Sequence, residues 1–187
     1  MEPGDIVYCP DALLSDTIRV SSANADDGLS QVETLLDSYP SDARLHFLRG
    51  SLLAGAQKID QAQISMRQAI EIAPEFSVAR FQLGFLQMTS ADMAAAATTW
   101  RPLMDLPQDH YLRLFAEGLE LVAVDDFDQG HARLRWGMAQ NTENPAMNKD
   151  MQLLMSATKN FTPPHDSEPT SSAQLLLQEY ANRQTKH

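Results

Sequence analysis

The chain has 187 residues of which 43% are hydrophobic, enough to bury a core as one domain or one short repeat array. Its 25 acidic against 14 basic residues give a net charge of −11, which speaks against nucleic acid and anionic membrane as partners. A single cysteine, Cys9, excludes an intrachain disulfide. The opening "MEPGDIVYCP" has neither a basic leader nor a long apolar stretch, and no window reaches the roughly 18 apolar residues of a membrane span. The expectation is a soluble, cytoplasmic protein.

Residues 1–8 read as an N-terminal extension. Residues 9–42 read as a degenerate helical hairpin, strongly acidic, with Arg19 as the one basic residue before Ala43. Residues 43–76 hold "FLRG" at Phe47–Gly50, in a helix expected near 43–56. A second helix is expected near 59–73, with Ala62, Met66 and Ala69 on one face and Pro74 closing it. Residues 77–110 repeat this with "FQLG" at Phe81–Gly84, then Ala96, Trp100, Leu103 and Pro107, over helices expected near 77–90 and 92–106. Pro102 falls inside the second of these and should kink or shorten it. Residues 111–144 give "FAEG" at Phe115–Gly118, then Gly130, Leu134 and Gly137, over helices expected near 111–124 and 127–141. Residues 145–157 form a lone amphipathic cap helix. The segment 158–170, with three prolines, is an extended linker. Residues 171–187 resume a helical pattern, a detached tail helix whose stripe includes Leu176, Leu177 and Tyr180.

The glycines at 50, 84 and 118 stand 34 residues apart, and so do the small residues Ala62, Ala96 and Gly130 and the bulky Met66, Trp100 and Leu134. Gly28, Val32, Leu35 and Pro40 repeat the second half one step earlier, with Asp16 at the glycine position. Small residues on both helices of a hairpin let the backbones approach, and the bulky residue one turn on fills the space beside them. Such hairpins cannot cover their own apolar faces and stack on one another.

This register resembles the tetratricopeptide repeat, whose pattern combines Leu-Gly on the first helix with Ala-x3-Phe and Pro on the second. Leu83-Gly84, Ala96-x3-Trp100 and Pro107 fit best, whereas His46, Arg80 and Leu114 occupy the family's tryptophan position. The resemblance covers residues 9–157. It implies an all-α fold: a right-handed superhelical array of helix-turn-helix repeats, with the C-terminal cap helix and the detached tail helix added.

In that family the first helices line a concave groove, which here implies Phe47, Phe81, Phe85, Met88, Phe115, Leu119 and Val122 as an apolar partner-binding surface. The alternative for the phenylalanines is interhelical core. With Phe47 and Ser51, Phe81 and Phe85, and Phe115 and Leu119 at the positions where chaperone-tail binders carry lysine and asparagine, a carboxylate clamp is not expected. "DDFDQG" at Asp125–Gly130 lacks the remaining ligands of a calcium loop and reads as helix capping. The histidines have no metal-ligand spacing, and Cys9 has no evident base.

The resemblance therefore implies a non-enzymatic protein–protein interaction module, a scaffold, adaptor or chaperone, that presents an apolar groove to a helical or apolar peptide segment. No cofactor or metal is expected. A secretion-type client chaperone is the alternative, and an enzyme with a dispersed active site a more distant one. Leu176, Leu177 and Tyr180 are expected to dock on an apolar face of the array or of a neighbouring copy.

Overall fold

Four helices begin at Ala43, Ser77, Tyr111 and Pro145, each 34 residues after the one before. In the computed structural model, which describes residues 7–159, nine α-helices and one 3-10 helix carry the fold, with no strand among the described residues. They are α1 (Asp11–Ala23), α2 (Ala25–Ser38), α3 (Ala43–Gly55), α4 (Ile59–Ile72), α5 (Ser77–Thr89) and α6 (Met93–Trp100). A 3-10 helix (Arg101–Asp105), α7 (Tyr111–Ala123), α8 (Phe127–Gln140) and α9 (Pro145–Lys159) follow. The fold is all-α. The chain divides into two compact units, Met1–Leu86 and Gln87–His187, the division falling inside α5.

The turns repeat with the same period as the helices. Gln57, Ala91 and Asp125 have φ of 59°, 65° and 65°, the left-handed region that closes a helix. At each, the following amide reaches back to the helix: Lys58 N–H to Leu53 O at 2.9 Å, Asp92 to Gln87 O at 2.9 Å and Asp126 to Leu121 O at 3.0 Å. Asp92 and Asp126 then cap the next helix through the amides of Ala95 and Gln129. Of the aspartates of "DDFDQG", Asp125 is thus the turn residue, Asp126 the cap, and Asp128 lies in the first turn of α8.

In the first unit, α3 and α4 pack through Gly50. A Cβ there would stand 3.0 Å from the Met66 side chain and 3.2 Å from Ala62 O. Leu53, Ala62, Met66, Leu83 and Leu86 form the buried centre, with Leu29, Phe47 and Ile70 packed against it. α1 and α2 meet differently: a Cβ on Gly28 would lie 2.6 Å from Ser21 Cα. The residue facing Gly28 is Ser21, not Asp16, which is exposed and pairs with Arg19. The cause is the connection, where Asn24 alone separates α1 from α2 while three residues separate the later pairs. Asn24 caps α2 through the amides of Asp26 and Asp27.

In the second unit α7 and α8 meet backbone to backbone. A Cβ on Gly118 would lie 3.0 Å from Gly130 O, and one on Gly130 would lie 2.9 Å from Gly118 O. Leu134 fills the space beside Gly118 and is fully buried. α6 ends after eight residues, where α4 and α8 have 14, because Pro102 comes two residues after Trp100 and the chain tightens into the 3-10 turn. Trp100 and Leu103 are buried there. Arg113 collects the carbonyls that this turn leaves open, donating to Met104 O at 2.8 Å and Leu106 O at 3.0 Å. α9 packs with Met147, Met151 and Leu154 buried.

Gly118→Ala should destabilise by about 1–3 kcal/mol, because the new methyl meets a backbone carbonyl as well as Leu134. Gly55→Ala, with nothing within 4 Å of the added Cβ, should stabilise by up to about 1 kcal/mol. Urea unfolding of the two variants decides; equal shifts would remove the close contact from the account.

Candidate interaction surfaces

Of the side chains expected to line a groove, only Phe47 keeps partial exposure, and it packs against Phe76 with ring centroids 5.1 Å apart. Phe81, Phe85, Met88, Phe115, Leu119 and Val122 are all buried, Phe85 the least so at 8% exposure. Phe81 and Phe85 stack on each other at 6.3 Å, and Phe115 and Tyr111 meet in a T-shaped pair at 5.9 Å. These six are core, and the apolar groove expected from them is not a free surface.

The reason lies in helical geometry. Residues three and four apart share a helix face, so a phenylalanine three before the packing glycine points where the glycine points. A Cβ on Gly137 of α8 would lie 2.6 Å from the Phe115 ring, and one on Gly130 would lie 2.7 Å from Val122. Phe115, Gly118 and Val122 therefore form the stripe of α7 that meets α8. The same phase was readable in "FxxG" itself. Leu176, Leu177 and Tyr180 lie outside the described residues.

Two buried polar contacts were not visible in the sequence. Asp42, 0% exposed, holds residues from both sides of the first hairpin. Its carboxylate accepts from Cys9 N–H at 2.9 Å and from Arg44, at Nε (3.0 Å) and at Nη2 (2.7 Å). Arg44 also donates to Asp11 and to Cys9 O, both at 2.7 Å, and lies 5.8 Å from the Tyr8 ring. Burial alone would push the Asp42 carboxyl up; the hydrogen bonds from Arg44 and from two backbone amides outweigh it and hold the group below its ordinary value. The Cys9 thiol, buried and beside Asp42, is pushed up, which makes it a poor nucleophile.

His131 and Thr158 tie α8 to α9, Nε2 to Oγ1 at 2.7 Å. The Thr158 hydroxyl is spent on the carbonyls of Leu154 and Met155, so the imidazole is the donor. Burial, then the charge of Arg135, lowers the His131 pKa. At the other end of the same pair, Asn141 donates to Asn148 at 2.8 Å.

Arg44, Arg49, Arg113 and Arg133 of the central units are held by neighbouring acids. Arg49 reaches Glu33 at 3.6 Å and donates to Ser65 Oγ at 2.9 Å. Arg113 and Arg133 share Glu117, at 2.8 and 3.5 Å. Burial raises the carboxyls of Glu120 and Asp150, but their charged neighbours are Glu117 and Lys149 respectively, so the two are not a coupled pair. Among the described residues no group of three or more His, Cys, Asp or Glu could hold a metal, and no helix is long and apolar enough to cross a membrane.

Apolar surface remains on the outer faces. Leu13 and Ile18 on α1, Ile64 on α4, Trp136 on α8 and Leu153 on α9 are each 43–49% exposed. Trp136 has the Arg133 guanidinium 5.8 Å from its ring. Between α1 and α2 runs a shallow groove of about 250 Å³. No protein-family model matches the chain, and no curated protein is similar to it.

Arg44→Met should cost about 2–3 kcal/mol, less than a fully buried pair because the guanidinium keeps 35% exposure. Adding Asp42→Asn should recover part of this in chemical denaturation; no recovery would mean that Asp42 is not what Arg44 serves. Because His131 has a lowered pKa when folded, the unfolded chain binds its proton first as pH falls. Its stabilisation is then full above the unfolded value near 6.5 and is lost below it, down to the folded pKa. Thermal melts should show stability falling between pH 7.5 and 5.5, and His131→Gln, which keeps a donor to Thr158, should flatten that fall.

Proposed function

We propose that the protein is a non-enzymatic interaction module, a scaffold, adaptor or chaperone built from tetratricopeptide-like hairpins, and that it binds a helical segment of another protein. The observation that carries this reading is the shared period of 34 residues in helix starts and in the left-handed turn residues Gln57, Ala91 and Asp125. Periodic hairpins spend their conserved-phase side chains on one another and leave outer faces free to vary, the division of labour of repeat scaffolds. With Phe81, Phe85 and Phe115 committed to the core, recognition falls on outer-face residues such as Leu13, Ile64 and Trp136. Trp136 and the Arg133 beside it are both of residue types enriched at binding hot spots.

The test places a photo-crosslinking amino acid in turn at Leu13, Ile64 and Trp136 of the full chain, in cells of its source. A protein partner joined at one or more of these positions is the expected result. Irradiation that joins none at any position, or turnover of an ester, phosphate or peptide substrate by the purified chain, would overturn the reading.

A further inference from the structure

We propose that the groove between α1 and α2 is a docking site for a basic amphipathic helix. This deepens the interaction reading and rests on it. Leu13, Asp16 and Thr17 on α1 and Gln31, Thr34 and Leu35 on α2 line the groove. On each helix these positions are spaced three and four apart, so the groove follows the hairpin axis. Leu13 is 46% exposed, Leu35 half-buried, and Thr17 closes the floor at 3%. A volume of about 250 Å³ takes anchor side chains but not a whole helix. An incoming helix therefore lies along the rim and inserts only its apolar stripe, the helix-in-groove mode.

The charge around the groove selects the flanks of that helix. Residues 7–42 contain Asp11, Asp16, Asp26, Asp27, Glu33, Asp37 and Asp42 against Arg19 alone. Asp42 is buried and engaged; the other six are exposed, and although Asp16, Asp11 and Glu33 pair with Arg19, Arg44 and Arg49, the six carboxylates outnumber these three arginines. Asp16 lines the groove, Asp27 lies four residues before Gln31, and Asp37 three after Thr34. Lysine or arginine beside an apolar stripe meets these carboxylates within a Debye length of about 8 Å, whereas an acidic helix is repelled.

The probe is a synthetic 18-residue peptide with leucine at helical i, i+3, i+4 and i+7 spacing and lysine elsewhere, titrated into the isotope-labelled full chain. Amide shifts should concentrate in α1 and α2. Thr34→Trp, which fills the groove and leaves the charge alone, should weaken binding at least tenfold. Asp16→Asn with Asp27→Asn should weaken it and reduce its salt dependence, and the leucine–glutamate counterpart peptide should not bind. Circular dichroism checks each variant, and Gln31→Trp replaces Thr34→Trp if that variant unfolds. Unchanged affinity in the groove-filling variant would reduce the effect to diffuse charge and end the proposal. Shifts mapping elsewhere, or concentration-dependent shifts of α1 and α2 without peptide, which would make a second copy the occupant, also overturn it. A chain that crosslinks to partners at Ile64 or Trp136 but fails this titration loses the groove and keeps the interaction reading; one that crosslinks to nothing loses both.

Discussion

The contact on which the α7–α8 hairpin depends is a backbone-to-backbone approach. Gly118 and Gly130 each present the other with a carbonyl oxygen where a Cβ would be. Glycine inside a helix costs about 1 kcal/mol against alanine, and the cost is offset because the crossing it permits sets everything around it. Once the axes meet there, Leu134 has a fixed place beside Gly118 and Phe115 a fixed place over Gly137. The α3–α4 hairpin is a looser version, in which Ala62 replaces the second glycine and Met66 supplies an adaptable filler.

Much of this was legible in the sequence, because small-residue spacing is a direct record of where helices touch. The six helices of the three central hairpins begin within one residue of their expected starts. Pro102 shortened α6 as its missing N–H requires. The burial of Phe81 and Phe115 follows from helical phase, since a phenylalanine three before the packing glycine shares its face. The Ser21–Gly28 contact was hidden by a one-residue connection that moves α1 in register. The left-handed turns gave no signal, since Gln57, Ala91 and Asp125 are not glycine and the hydrogen bonds that hold them are made by backbone.

Polar chemistry sits at both margins of the hairpins and was the least legible part. Asp42 reaches Cys9 across 33 positions, and His131 reaches Thr158 across 27. Neither pair has a motif, because each is made by tertiary placement of ordinary residues. The first ties the segment before α1, and the second the end of α9, to the helices beside it. A buried carboxylate or imidazole is unforgiving of misplacement, so these contacts favour one arrangement of the segment over sliding alternatives.

α9 begins in phase with α3, α5 and α7 but carries Gln152 where they carry Gly50, Gly84 and Gly118, and Gln152 is exposed. A following helix that tried to approach α9 as α8 approaches α7 would meet that side chain, with Ser156 one turn further on also exposed to water. That face of α9 cannot make the close approach that Gly118 permits to α7.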